Sequence, residues 1–435
     1  LFQWFRPKIL FRVSGRQSTL AKLEVFVSTA SIPSIDIQRY SYDLPAERIA
    51  AFPLDERDAS KLLRFWLHEG GITHHRFRDL AGLLPADSLM VMNSTKVIAA
   101  RLVASKPTGG RVEVLLADPV APSTDPAVVL RSSEESTWNC MIGGRNVQKG
   151  MVLAHDAAGL TLTVLEREGT GAVVQLQWNG QQSLAEVLDH IGTLPLPPYL
   201  NREVEAVDAE RYQTVYAREQ GSVAAPTAGL HFTHRVLDEL AANGIASALL
   251  TLHVGLGTFQ PVTATDARDH AMHAERFGIS RESVHHLFMH ASSAQPWVTV
   301  VGTTSLRTME SLHALGAQLA QGANIDPDDL VVDQWAAFDE SLRNVDRSTA
   351  YGAVLRWMDD NQRTSLWGQT RIMIAPGCHI AAADALITNF HQPGNTLMLL
   401  VAAFMGEEHW RRVYEAALNN DYRFLSYGDS SLLIR

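Results

Sequence analysis

Hydrophobic and polar positions divide the chain into two textures. Ser88–Met92 is a short apolar run ending at the polar Asn93-Ser94-Thr95-Lys96, which predicts a buried strand. From about Leu102 to Gly180 short runs follow one another: Arg111–Ala117, Trp138–Ile142, Met151–His155, Leu160–Glu166 and Val173–Trp178. Glycine-rich turns at Gly109-Gly110, Gly143-Gly144 and Gly169-Thr170-Gly171 separate them, and no helical period intervenes. That pattern predicts a small all-β barrel or sandwich. Ser183 and Glu186 form a capping box that opens a short helix closed by Gly192, and Pro45 starts another at Pro45–Phe52. After the extended linker Leu194–Leu200 the pattern becomes strand, loop, helix. Ala248–His253, Trp297–Gly302, Arg371–Ala375 and Ala385–Phe390 read as strands. Leu306, Met309, Leu312, Leu315 and Leu319 share one helical face, and Asn395-Thr396 caps a further helix.

The fold class expected is therefore α/β (or α+β), a larger α/β barrel-like domain with an inserted small all-β barrel domain. Residues 35–100 and 191–435 form the larger domain, 101–190 the insertion, and 1–34 an N-terminal extension. The 435 residues accommodate two or three domains at roughly 150 residues each. Charged residues are 19% of the chain, below the roughly 25% of an average soluble domain, which leaves ample material for a core.

Lys and Arg number 37 against 47 Asp and Glu, a net charge of −10 that excludes a protein coating nucleic acid nonspecifically. A local basic patch gripping one folded RNA stays compatible with it. The longest apolar run, Leu397–Met405, falls short of the ~20 residues a membrane helix needs. Cys140 and Cys378 lie far apart without a CxxC, so neither a disulfide framework nor a cysteine-rich zinc site is indicated, and a cytoplasmic location is expected. The extension carries Arg6, Lys8, Arg12, Arg16 and Lys22 before its first acidic residue, Glu24. An over-extended reading frame, a targeting segment or a basic arm all fit; a poorly ordered segment outside the fold is the expectation.

In α/β folds ligands bind at the carboxyl ends of the strands. Four loops in those positions are small, polar and rich in Gly and His: Ala225–Phe232, His253–Gln260, Gly302–Arg307 and Thr388–Pro393. At Gly302–Arg307 a strand ends and hydroxyls cap a new helix, whose free N–H groups suit a carboxylate or phosphate, with Arg307 in reach. An ordinary helix start with Arg307 paired to Glu310 is the plainer reading. Gly255–Gln260 matches a dinucleotide loop only in its first half, because Gln260 replaces the third glycine and Pro261 follows. His270 and His273 with Glu275 have metal-like spacing, but structural or substrate-facing roles are favoured and no metal is expected. Tyr199, Tyr212 and Tyr216 offer aromatic faces to a base or a sulfonium, or pack.

Nine segments, Tyr42–Ala50, Asn93–Leu102, Leu196–Tyr199, Tyr212–Tyr216, Val223–Phe232, Thr251–Val262, Val301–Arg307, Leu386–Pro393 and Tyr422–Asp429, together resemble the S-adenosylmethionine:tRNA ribosyltransferase-isomerase family of queuosine biosynthesis. The resemblance runs from about residue 37 to 435. Residues before Ile37 fall outside it, and the stretch from Gly322 to Thr370 is long for the family. It implies transfer and isomerisation of the ribosyl group of S-adenosylmethionine onto 7-aminomethyl-7-deazaguanine at the tRNA wobble position. The products would be epoxyqueuosine in tRNA, adenine and methionine. S-adenosylmethionine would be a co-substrate, with no permanently bound cofactor, and a monomer is expected.

Such chemistry needs a base for the acidified ribose carbon beside the sulfonium, for which His231, His253 and Glu275 are candidates. Asn389 and His391 are candidates for assisting adenine departure. Thr303, Thr304, Ser305 and Arg307 would hold the methionine carboxylate. Thr227, Gly229, Gly255, Gly257 and Tyr199 complete the expected substrate site. A tRNA patch is expected from Lys96, Arg101, Arg202, Arg411, Arg412 and Arg423, with the wobble base unstacked from its loop. The competing readings are an S-adenosylmethionine-dependent tRNA methyltransferase, which would carry a glycine-rich loop after its first strand, and a noncatalytic tRNA-binding protein, which would be basic.

Overall fold

Leu89–Asn93 is buried at every position, because it lies inside a sheet covered on both faces. The computed structural model describes residues 32–155, 159–255, 262 and 264–435. Gly257 and most of the N-terminal extension thus lie outside the described residues, while Ile32 is buried and Ser34 donates to Asp266.

In chain order the strands are β1 Lys61–Trp66, β2 Gly71–Arg76, β3 Leu89–Asn93, β4 Thr95–Val97, β5 Arg101–Ser105, β6 Arg111–Ala121, β7 Glu135–Ile142, β8 Val152–His155 and β9 Leu160–Glu168. They continue with β10 Gly171–Gln177, β11 Glu219–Ser222, β12 Ala246–Leu252, β13 Glu275–Ser280, β14 Val298–Val301, β15 Val331–Val332, β16 Ser365–Thr370, β17 Ala385–Asn389 and β18 Ser430–Ile434. The helices are α1 Pro126–Val129, α2 Leu184–Ile191, α3 Asp208–Arg211, α4 His234–Ala242, α5 Arg281–Ala291, α6 Thr303–Ala320, α7 Arg347–Asp360, α8 Thr396–Met405 and α9 His409–Asn419.

The large domain is built on a ten-stranded mixed sheet in the order β15-β16-β13-β12-β3-β14-β17-β18-β1-β2. Its centre, β12-β3-β14-β17, is parallel. Side chains alternate across it. Leu89, Val91, Val298 and Val300 join the core that includes α6, α7 and α8. Met90, Met92, Val301 and Ile387 pack on the other side with Phe77, Phe232 and α4. Strands β5 to β10 close into a six-stranded barrel, β10-β7-β6-β5-β8-β9, inserted between β3 and β12. Closure leaves no free edge, and its alternating strands bury Leu102, Val114, Trp138, Leu162 and Val174 inside.

Local signals explain most elements. The capping box of α2 is present in both directions, with Ser183 N donating to Glu186 Oε2 at 2.7 Å. Asn395 Oδ1 caps α8 by accepting from Met398 N at 2.9 Å. Two expectations need correction. Arg371–Ala375 is not a strand: Thr370 Oγ1 accepts from Ile372 N and ends the ladder of β16, so the apolar run marks burial rather than sheet. The turn after Pro45 is a three-residue 3-10 turn, Ala46–Arg48, with Pro45 as its cap.

Gly192, where α2 hands the chain back to the large domain, has no room for a side chain. A Cβ there would lie 2.0 Å from the Ala99 carbonyl oxygen and 2.6 Å from that of Leu188. Both obstacles are backbone, so Gly192→Ala is expected to cost on the order of 1–3 kcal/mol. A thermal melt checks this; an unchanged melting temperature would show that the junction yields freely.

Candidate active site

Parallel strands deliver their carboxyl ends to one edge of the sheet, and β12, β3, β14 and β17 deliver Leu252–Val254, Asn93–Thr95, Gly302 and Asn389–His391 there. Antiparallel neighbours bring their opposite ends to the same edge. Leu252 pairs with Phe277, so β13 contributes its first residue, Glu275, and Asn389 pairs with Ser430 at the start of β18. These ends surround a cavity whose walls include Tyr199, Thr227, Val254, Thr303, Thr304, Arg307, Asn389, His391 and Ser426. Seven of the expected substrate residues therefore meet in one hollow: Tyr199, Thr227, Thr303, Thr304, Arg307, Asn389 and His391.

Helix α6 begins at Gly302, in a left-handed conformation (φ 90°), without a side-chain cap. The expectation that hydroxyls cap this helix is therefore wrong. Instead the hydroxyls of Thr304 and Ser305 are buried without a hydrogen-bond partner. An uncapped helix start with idle hydroxyls is a ready anion cradle, because its N–H groups and dipole await a negative partner.

Arg307, one turn on, pairs with Glu275 rather than with Glu310, and its Nε donates to the Ile372 carbonyl at 3.2 Å. Glu310 accepts from the backbone N–H groups of Ala381 and Ala382. Arg307 is buried, which lowers its pKa to about 10, so it stays a cation at neutral pH. Its Nη2 and the Oε1 of Glu275 have no hydrogen-bond partner. Buried orphans of this kind are rare in native proteins and imply an absent partner or water.

His231 is held at both ring nitrogens. Its Nδ1 lies 2.8 Å from Ser60 Oγ and its Nε2 accepts from Asn389 Nδ2 at 3.2 Å, so Nδ1 carries the proton toward Ser60. It stacks on Phe77 with ring centroids 5.0 Å apart, and burial lowers its pKa to about 3. With no nitrogen left for substrate, it is a support for Asn389 and not a proton acceptor. Asn389 Nδ2 also donates to the Leu425 carbonyl, which leaves only Oδ1 unpartnered. Asn389 thus offers an acceptor to a ligand's N–H group and is no acid.

His253 has Nδ1 3.1 Å from Thr95 Oγ1 and lies parallel to Trp367, 6.1 Å between centroids. Burial lowers its pKa to about 4. It is not in the cavity wall, but its neighbour Val254 is. His391 has Nε2 2.9 Å from Thr388 Oγ1 and a pKa lowered to about 4 by burial. Gly229 serves packing, since a Cβ there would lie 2.2 Å from the Tyr216 hydroxyl oxygen. Gly255 approaches the barrel, where a Cβ would lie 3.6 Å from Asp118 Oδ1.

Of the expected phosphate contacts, Arg202 is already committed. It forms a bidentate pair with Asp208 at 2.7 Å, donates to the Ala51 carbonyl, and covers the Phe52 ring at 4.3 Å. Arg423 lies 3.8 Å from Asp429 and borders the groove beside His231. Arg101 pairs with Glu113 at 2.7 Å on the barrel. Arg411 and Arg412 are exposed on α9 and Lys96 is exposed on β4. They do not make one contiguous stripe.

Tyr212, Thr388, Gln392, Asn395 and Ser426 also face the cavity and were missed by sequence reasoning, although all but Ser426 sit in or beside segments it had singled out. No cluster of three or more His, Cys, Asp or Glu side chains suited to a metal exists among the described residues, His270 and His273 included. No helix there is long and apolar enough to cross a membrane.

The family model described as queuosine biosynthesis protein matches residues 37–433. The chain is 39% identical over 398 residues to the S-adenosylmethionine:tRNA ribosyltransferase-isomerase of Anaeromyxobacter sp., covering 91% of this chain and 98% of that one. It is 37% identical over 400 residues to the protein of that name from Pelobacter propionicus, covering 91% and 99%. A crystal structure of S-adenosylmethionine tRNA ribosyltransferase from Thermotoga maritima aligns with 25% identity and a TM-score of 0.45, covering 91% of this chain and all of that one.

Proposed function

Since the chain belongs to the queuosine biosynthesis family, we propose that it transfers and isomerises the ribosyl group of S-adenosylmethionine onto 7-aminomethyl-7-deazaguanine at the tRNA wobble position, releasing adenine and methionine. The observation that carries this into the structure is the uncapped start of α6 beside Arg307, in a cavity with idle polar atoms. The methionine carboxylate suits that cradle, as a carboxylate suits any helix N-terminus flanked by a guanidinium. Asn389 Oδ1 would accept from the adenine amino group and hold the base as it leaves.

Removing a proton from the ribose carbon requires a neutral base close to the sulfonium. His253 fits: burial keeps it unprotonated at neutral pH, Thr95 fixes Nδ1, and its Nε2 has no hydrogen-bond partner among the described residues. His253→Ala is expected to lower turnover about 10²–10⁴-fold with little change in S-adenosylmethionine affinity. Single-turnover adenine release together with equilibrium dialysis measures both, and equal losses in the two would make His253 a binding residue.

The reading as a whole is tested by incubating the protein with S-adenosylmethionine and tRNA carrying the aminomethyl base. Free adenine and a nucleoside heavier by the ribosyl-derived unit support it. S-adenosylhomocysteine would establish methyl transfer instead, and tight tRNA binding without any product would establish a noncatalytic binder. Cytoplasmic action as a monomer, with no resident cofactor, completes the proposal.

A further inference from the structure

His273 stands outside every role assigned so far. It lies two residues before Glu275, at the same edge of the sheet, with its Nε2 3.3 Å from Glu275 Oε1. Those two atoms are both buried and neither has a hydrogen-bond partner, so the pair is close but not yet aligned. The far carboxylate oxygen of Glu275 is fixed by Arg307, which forms part of the cavity wall. Unlike His231 and His253, the His273 side chain is one-third exposed, at 33%, and no hydrogen bond engages its Nδ1 among the described residues. The order from cavity to surface is thus Arg307, Glu275, His273. Asp118 of the barrel strand β6 is the next charged group, turned out of the barrel where the β6–β7 register shifts.

A base whose second nitrogen faces a fixed carboxylate is the arrangement that makes an imidazole an effective proton acceptor, because the carboxylate sets the tautomer and stabilises the imidazolium. The proposed acceptor supplies a proton to be taken. Its aminomethyl group is an alkylamine, mostly an ammonium at neutral pH like a lysine (~10.4), and an ammonium nitrogen has no lone pair to attack a ribosyl carbon.

We propose that His273 is the base that activates the acceptor: its Nδ1 takes the proton from the aminomethyl ammonium of the tRNA base, while Glu275, held by Arg307, receives the Nε2–H. The freed amine lone pair then forms the bond to the ribosyl carbon, and the proton leaves from the imidazolium to solvent through the exposed side. This rests on the transfer reading above. His273 is neutral at neutral pH, as the role demands, because burial and the Arg307 charge lower its pKa to about 4, against a smaller raising pull from Asp118. The charged or titratable groups facing it are Glu275, Arg307, Asp118 and His270.

His273→Ala and His273→Asn separate this role from a structural one, the second retaining a donor toward Glu275. With S-adenosylmethionine and tRNA carrying the aminomethyl base, both variants are expected to react about 10²–10⁴-fold more slowly at pH 7. S-adenosylmethionine affinity by equilibrium dialysis should stay within about threefold. The deficit should shrink steadily toward about pH 10, where the amine loses its proton unaided. A rate near wild type at pH 7, a deficit that is the same at every pH, or an affinity loss matching the rate loss would overturn it. So would variants that no longer melt cooperatively, since His273 would then be holding the fold. A wild-type protein that releases no adenine would instead overturn the transfer reading itself.

Discussion

Arg307→Met is expected to destabilise the protein by about 3–5 kcal/mol and to abolish measurable S-adenosylmethionine binding. The reason is the isolation of its partner. Glu275 is fully buried, with a side-chain exposure of 0%, and Arg307 supplies its direct ion pair. Removing the cation strands a carboxylate in a medium that cannot solvate it, which costs far more than the pair contributes over apolar residues of the same size. Stability alone would not separate a structural arginine from one that holds substrate, so the informative variant is Arg307→Met combined with Glu275→Leu. With both charges gone, most of the lost stability is expected to return, read as the midpoint of urea unfolding. Binding is expected to stay absent, because the guanidinium and the uncapped start of α6 form one cradle. A double variant that regains both stability and S-adenosylmethionine binding would show that Arg307 is there for Glu275 and that the carboxylate sits elsewhere.

How far this site was legible depends on the kind of pairing that built it. The loops after Leu252, Val301 and Asn389 were readable because buried runs predict central parallel strands, and parallel strands put their carboxyl ends on one edge. That the four polar turns converge follows from this rule alone. Glu275 was singled out only as a titratable group in a motif, since its place in the site depends on β13 running antiparallel to β12. No local pattern encodes that direction. His273 had even less to show: its spacing from His270 suggested a metal, whereas its actual neighbour is Glu275.

The same limit applies to the fold. Strands β1 and β18 pair in parallel although Lys61 and Ser430 stand at opposite ends of the chain, and a pairing so distant leaves no trace in either segment. The barrel, by contrast, is made of hairpins whose turn glycines lie in the sequence between the strands they join. Arg307 shows where a local rule misleads. Glu310 is three residues away on the same helix and would serve as a partner by spacing, but backbone N–H groups of Ala381 and Ala382 occupy it. The basic residues were the least legible, because a surface cation and one like Arg202, locked onto Asp208 and Phe52, look alike in a sequence.

Lowering the pH from about 6.5 to about 4 is expected to remove much of the folding stability before most carboxylates are protonated. The histidines that make the site responsive are His231 and His253, both buried to within a few per cent and both neutral in the fold. Burial lowers their pKa to about 3 and about 4, whereas the unfolded chain titrates them near 6.5. Above about pH 6.5 neither state binds the extra protons, so stability is unaffected. Below it the unfolded state takes them up while the folded state refuses, and each histidine costs about 1.4 kcal/mol per pH unit. Across the window this amounts to roughly 3 kcal/mol for each, a large share of the 5–15 kcal/mol typical of a whole protein. The carboxylates act at lower pH: Asp208 and Asp346 have lowered pKa values and hold their contribution until the window has passed. Urea midpoints at pH 7, 5.5 and 4.5 measure the slope, and His253→Gln should flatten it by about half, since one of the two refused protons disappears. A midpoint that stays constant from pH 7 to 4.5 would mean that the unfolded chain gains no such advantage, and that these rings take up protons inside the fold. They would then be imidazolium ions at mildly acidic pH, and His253 could not act there as the acceptor of a ribose proton.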